Sequence, residues 1–160
     1  MKYKSPIIQI SLTGVLTALA ILMGAFAYFP WFGGVYLVGA IVFLMPLILK
    51  FWYSLIGTLL SVFFTDLITG WIQYTWISLI AYSVGIIIIF IFSIPKIKLL
   101  FIPGLFIASL VITGIYFVLL WVMKDRAYAI FSSWGTMLQF AIVIPLTSLL
   151  YLPIKILGEK

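Results

Sequence analysis

The sequence predicts an all-α integral membrane protein, a bundle of about six transmembrane helices with N and C termini both cytoplasmic. Three observations carry this. Of 160 residues, 66% are hydrophobic and only 8% charged, with a mean hydropathy of +1.38. A soluble domain holds about 45–50% apolar and about 25% charged residues, so this chain has too little charge to cover a water-facing surface. A membrane helix takes about 20 apolar residues, which divides the length into about six spans joined by short links, a single transmembrane domain over residues 1–160. The third observation is the placing of the basic residues, singly and at the ends of apolar runs.

The first span is expected at about residues 7–29, ending at Pro30 before the turn Trp31-Phe32-Gly33-Gly34. The leading Met1-Lys2-Tyr3-Lys4-Ser5-Pro6 resembles a signal n-region, but the apolar run behind it is too long for a cleaved segment and reads as a retained span. A second run covers about residues 35–49. Lys50 interrupts it, and a third follows at 51–65. Both are short, so one of the two is expected to be tilted, re-entrant or broken. The fourth covers about 71–92 and stops before Pro95. The fifth covers 99–123 and tolerates Pro103 in its first turn. Lys124-Asp125-Arg126 links it to the sixth, about 134–156, where Pro145 is expected to kink the helix.

Six spans put Lys2, Lys4, Lys50, Lys96, Lys98, Lys155 and Lys160 on one side and Lys124 and Arg126 on the other. The excess of basic residues marks the cytoplasmic side. This tally requires Lys50 to lie in a cytoplasmic turn, and it places Asp66, the only acidic residue before Asp125, in an outward-facing loop. Scattered single charges set topology and do not form a nucleic-acid patch, despite the net charge of +6. The absence of Cys and His removes thiolate and imidazole chemistry and the usual zinc ligand sets. No phosphate-binding loop occurs, so ATP-driven work would need another chain, and no nucleophile–base pair suggests an enzyme.

Candidate binding residues cluster toward the outer ends. Trp31, Trp71, Trp76, Trp121 and Trp134 fall there against Trp52 alone at the inner end. The rings either line an outward cavity able to stack on a flat ligand or form an uneven interfacial belt. In the fourth span, Trp71, Thr75, Ser78 and Tyr82 recur at steps of four, three and four, with Tyr74 beside Ser78. A polar stripe in a span faces protein or a wet cavity. It serves a ligand or binds neighbouring helices. Gln139 needs a polar partner in hydrocarbon and fits either role. The first span carries Gly14 with Ala18 and Ala20 with Gly24, small residues four apart that let another helix approach, either within the bundle or from a partner.

Length, six spans with cytoplasmic ends, the small-residue face of the first span and the segment from Gly33-Gly34-Val35-Tyr36-Leu37 through Gly57-Thr58-Leu59 to Asp66-Leu67-Ile68-Thr69-Gly70-Trp71 together resemble the substrate-binding S component of an energy-coupling factor (ECF) vitamin transporter. The riboflavin/hydroxymethylpyrimidine type is the most similar. The resemblance implies high-affinity capture of a small water-soluble vitamin from outside, a lid after the first span, and a toppling motion in the bilayer. It also implies docking on a transmembrane T component that is bound to two cytoplasmic ATPases, which use the ATP. No cofactor is implied in this chain.

The family's Ala-x-x-x-Ala docking pattern maps to Gly14 and Ala18, with Gly in the first place. An acid common in relatives is absent at Gly39-Ala40. The binding set then reads Trp31 and Tyr36 at the lid, Asp66, Trp71, Tyr74, Ser78 and Tyr82 on one wall, and Trp134 and Gln139 opposite. Such a set suits a flat neutral or weakly basic ring, hydroxymethylpyrimidine or a vitamin B6 form. The competing expectation is a proton-coupled carrier or small channel working alone through Asp66, which otherwise caps the fourth span or touches ligand.

Overall fold

A computed structural model describes residues 5–26, 28–29, 35–93 and 100–158, with side chains described through residue 26, from 37 to 93 and from 100 to 153. Six helices run in chain order: α1 (Pro6–Phe26), α2 (Val38–Ile48), α3 (Phe51–Thr69), α4 (Thr75–Ser93), α5 (Phe101–Met123) and α6 (Arg126–Gly158). Two short strands, β1 (Tyr28–Phe29) and β2 (Val35–Tyr36), pair antiparallel between α1 and α2. Five of the helices are long and apolar enough to cross a membrane. The chain is therefore an all-α, multi-pass membrane bundle.

The short second run resolves into the 11-residue α2, about 16 Å at 1.5 Å per residue and too short to cross alone. Every residue of α2 is buried. A helix apolar on all sides has no face to prefer for water or lipid and is stable only when enclosed, and here α1, α3, α4 and α6 enclose it. Thr147 of α6 donates to the Ala40 carbonyl at 3.0 Å, and the Phe43 and Phe140 rings stack at 5.4 Å.

Contacts fix the directions. Gln9 Oε1 accepts the Lys50 N–H at 2.9 Å, Gly57 meets Thr13 and Thr17, and Gly24 meets Thr65, so α1 and α3 run parallel. Between α4 and α5, the pairs Ser78–Tyr116, Gly85–Ile112 and Phe92–Gly104 run antiparallel. Odd-numbered helices run one way and even-numbered helices the other. Lys50 therefore lies at the same end as the start of α1, as the charge tally required.

The small residues of the first span divide between two faces. Ala20 and Gly24 are buried, with Gly24 pressed on Thr65, and they serve the bundle itself. Gly14 and Ala18 are exposed, and nothing lies within 4 Å of where a Gly14 side chain would begin.

Several boundaries differ from expectation. The third helix does not end at 65. It continues to Thr69, where Gly70 at φ 81° supplies the left-handed cap and the Trp71 N–H returns to the Asp66 carbonyl at 2.8 Å. Asp66 is thus in the last turn of α3 and not in a loop. The fourth helix begins after a 3₁₀ turn at Ile72–Tyr74. The sixth begins at Arg126 and not at 134, because Asp125 caps it, its Oδ1 accepting the Tyr128 N–H at 2.7 Å. The helix is continuous through Pro145.

Candidate functional site

The helix ends opposite the chain termini converge on one cavity. Val38 opens α2 there, and Val62, Thr65 and Asp66 come from the last turns of α3. Trp71, Tyr74, Ser78 and Tyr82 descend from the α3–α4 turn into α4. Tyr116 and Leu120 close α5, while Tyr128, Ser132, Thr136 and Gln139 form one stripe of α6. The cavity encloses about 80 Å³, enough for a few ordered waters or one small ring.

The α4 stripe is inward-facing along its whole length, with Tyr74, Thr75, Ser78 and Tyr82 all buried. Two side-chain hydrogen bonds fix its depth. Tyr116 donates its hydroxyl to Ser78 Oγ at 2.6 Å, and Gln139 Nε2 donates to Tyr82 Oη at 3.1 Å. Gln139 thus has the polar partner its burial demands. Phe43 backs the Tyr82 ring at 6.5 Å between centroids. At the mouth, Trp71 and Tyr74 lie 5.5 Å apart, and the Tyr128 hydroxyl stands against that of Tyr74.

Asp66 brings the only charge to the cavity lining among the described residues. Its carboxyl group stands beside the Ser78 and Thr75 hydroxyls. That proximity does not make a complete set of bonds: Asp66 Oδ2 and Thr75 Oγ1 are both buried and, among the described residues, have no hydrogen-bond partner of full geometry. The expectation that Asp66 caps the backbone of the fourth helix is not met. It meets side chains of α4 from within α3, and the capping carboxylate is Asp125, one connection later.

Of the residues the sequence nominated, Asp66, Trp71, Tyr74, Ser78, Tyr82 and Gln139 come together around this cavity. Trp134 does not. It is 61% exposed and lines an apolar cleft between α5 and α6 with Leu110 and Phe117 on the lipid-facing surface. Its position is two residues from both Ser132 and Thr136, and a step of two turns a helix by about 200°. Trp76 and Trp121 are likewise outward-facing. The tryptophan imbalance therefore resolves mostly into interfacial decoration, with Trp71 the one described tryptophan at the cavity. Trp31 lies outside the described residues. Tyr36 is placed by its backbone in β2, which packs against α6, and its side chain lies outside the described ones.

Tyr116, Tyr128, Ser132 and Thr136 are the additions. Tyr128, Ser132, Thr136 and Gln139 recur at four, four and three, a one-face helical pattern visible in the sequence once the helix starts at Arg126. Gly39 faces Gln139 and Val143. A side chain there would begin 3.3 Å from Val143 and 3.6 Å from Gln139 Nε2, so a methyl group fits only if Val143 gives by a few tenths of an ångström.

Comparison of the chain with protein-family models, with curated proteins and with solved structures gives no match.

Proposed function

We propose that this protein is a substrate-capturing membrane subunit that takes a small, flat, weakly basic or neutral ring into the cavity at the Asp66 end. The observation that carries the reading is the convergence of one carboxylate, four tyrosines, one tryptophan and an amide on a narrow enclosed space at one end of an otherwise apolar bundle. Polar groups in a membrane bundle cost free energy unless satisfied or used. This set exceeds what helix packing alone requires. Aromatic walls with a few placed polar groups are the usual make-up of a small-molecule pocket.

On this reading the chain works as the S component of an ECF-type importer, for a vitamin or precursor such as hydroxymethylpyrimidine or a vitamin B6 form. The outward Gly14 and Ala18 provide the surface for a T component carrying two ATPases, and the bundle leaves that surface uncovered. Two experiments test the reading. Ligand addition quenches tryptophan fluorescence in wild type, and the quenching is lost in Trp71→Phe but kept in Trp134→Phe. The purified complex contains the T component and ATPases, and Ala18→Trp removes them while the subunit still folds. Retention of the partners by Ala18→Trp contradicts the docking assignment.

The placing of Asp66 inside α3 favours a second reading, a carrier working alone in which this carboxylate takes and releases a proton during transport. Uptake that collapses with the proton gradient and survives ATP depletion selects it over the first.

A further inference from the structure

We infer that the ligand is an organic cation bearing N–H donors, an amidine-like or amino-substituted aromatic ring, held with its N–H edge on Asp66. This rests on the reading of the cavity as a binding site and specifies what enters it.

The lining carries one negative charge and, among the described residues, no Lys or Arg. The charges nearest in sequence on the same end do not serve it. Lys124 and Arg126 are exposed, and the Arg126 guanidinium lies over the Trp121 ring at 5.9 Å on the outer surface. An uncompensated carboxylate in a low-dielectric bundle is expensive. A bound cation offsets that cost.

The buried oxygens give the direction. Asp66 Oδ2 and Thr75 Oγ1 are buried and, among the described residues, neither has a hydrogen bond of full geometry, though the Ser78 and Thr75 hydroxyls stand beside the carboxyl group; Thr75 is 6% exposed. An ionised carboxylate oxygen only accepts, so the complement of Oδ2 is a donor, while the Thr75 hydroxyl beside it can donate or accept. A carboxylate oxygen accepting from a charged N–H makes the strongest kind of hydrogen bond available in such a site. The remaining wall is aromatic: Trp71, Tyr74, Tyr82, Tyr116 and Tyr128. Ring faces attract a cation and stack on a flat heterocycle. A quaternary ammonium would use the rings but leave Oδ2 unsatisfied, and an anion would meet Asp66 with no cation to offset it. The site thus separates three classes of similar size by charge and by donor.

The test uses the purified full chain in nanodiscs and four probes of one ring each: benzamidine, benzamide, benzyltrimethylammonium and benzoate. Binding is read from tryptophan fluorescence and thermal shift. Benzamidine is expected to bind tightest and benzoate not at all. Asp66→Asn should weaken benzamidine by about 10- to 100-fold, the worth of a hydrogen bond to a charged group, while leaving benzamide within about 3-fold on the same scale.

The wild-type ranking does not depend on the variant folding. Benzamide binding as tightly as benzamidine would overturn the charge assignment and leave the pocket reading standing. Equal binding of benzyltrimethylammonium would overturn the N–H requirement. Stabilisation by sodium chloride over choline chloride, lost in Asp66→Asn, would put a metal cation on Asp66 and sink the organic-cation assignment. No response to any probe would remove both the inference and the pocket beneath it.

Discussion

Two glycines on one helix allow a sharp test of which face of α1 belongs to the bundle. Placing a Cβ on Gly24 brings it to 2.5 Å from Thr65 Cγ2, 2.6 Å from Oγ1 and 3.1 Å from Cβ. Rotation about χ1 relieves at most one of the first two, since Cγ2 and Oγ1 fill two of the three staggered positions on Thr65 Cβ. The other and Cβ itself stay in place, so α1 and α3 must part by some tenths of an ångström. Overpacking of this kind costs about 1–3 kcal/mol. At about 2–4 °C per kcal/mol for a chain of this size, Gly24→Ala should lower the melting temperature by roughly 2–12 °C.

Gly14→Ala meets nothing within 4 Å. It gains what a mid-helix alanine gains over glycine, about 0.5–1 kcal/mol, and should melt at or slightly above the wild-type temperature. The assay is thermal unfolding of the two purified variants in the same detergent. Equal destabilisation by both, or none by Gly24→Ala, would refute the assignment of the two faces. Thr65 also lines the cavity, so Gly24→Ala should weaken ligand binding as well, and Gly14→Ala should not.

Other variants have worked outcomes. Gln9→Leu leaves the buried-side Lys50 N–H without its 2.9 Å acceptor and should cost about 1–3 kcal/mol in thermal unfolding. Thr147→Val deletes the donor to the Ala40 carbonyl and should cost about 0.5–1.5 kcal/mol, with more of the loss recovered by ligand than in Gln9→Leu, because α2 begins at the cavity. Tyr116→Phe removes the 2.6 Å bond to Ser78. It should reduce affinity by several-fold with little change in melting, whereas unchanged affinity would make that hydroxyl a packing element only. A cysteine at Lys50 should react with membrane-impermeant reagent only from the cytoplasmic side, and one at Lys124 only from outside. The same side for both would overturn the helix count across the bilayer.

The sequence carried much of this architecture in its apolar runs and isolated basic residues, because a bilayer forces runs of a set length and marks their ends. The α4 face was readable for the same reason: Ser, Thr and Tyr at helical spacing have to look inward from lipid. What was hidden lay at boundaries. Gly70 extends α3 by one turn and so carries Asp66 from loop to helix. Asp125 starts α6 eight residues early and brings Tyr128 and Ser132 to the cavity. Both were present as capping signals. They were outweighed by hydropathy, which is blind to where an apolar-poor first turn begins. Trp134 was misplaced by the same early boundary, since a tryptophan read as the start of a span has no face. The complete burial of α2 was not readable, because an unpatterned apolar run looks alike whether lipid or protein surrounds it.

The account turns on the Asp66 cavity being where a small molecule resides. Ser132 is small, half-buried and part of the lining, so Ser132→Trp fills the space from the α6 side. The decisive measurement is mass spectrometry of whatever small molecule is released when purified wild type and Ser132→Trp are denatured. The account predicts an amino-bearing aromatic compound from wild type and none from the variant at equal melting temperature. The same compound in the same amount from both proteins would contradict it.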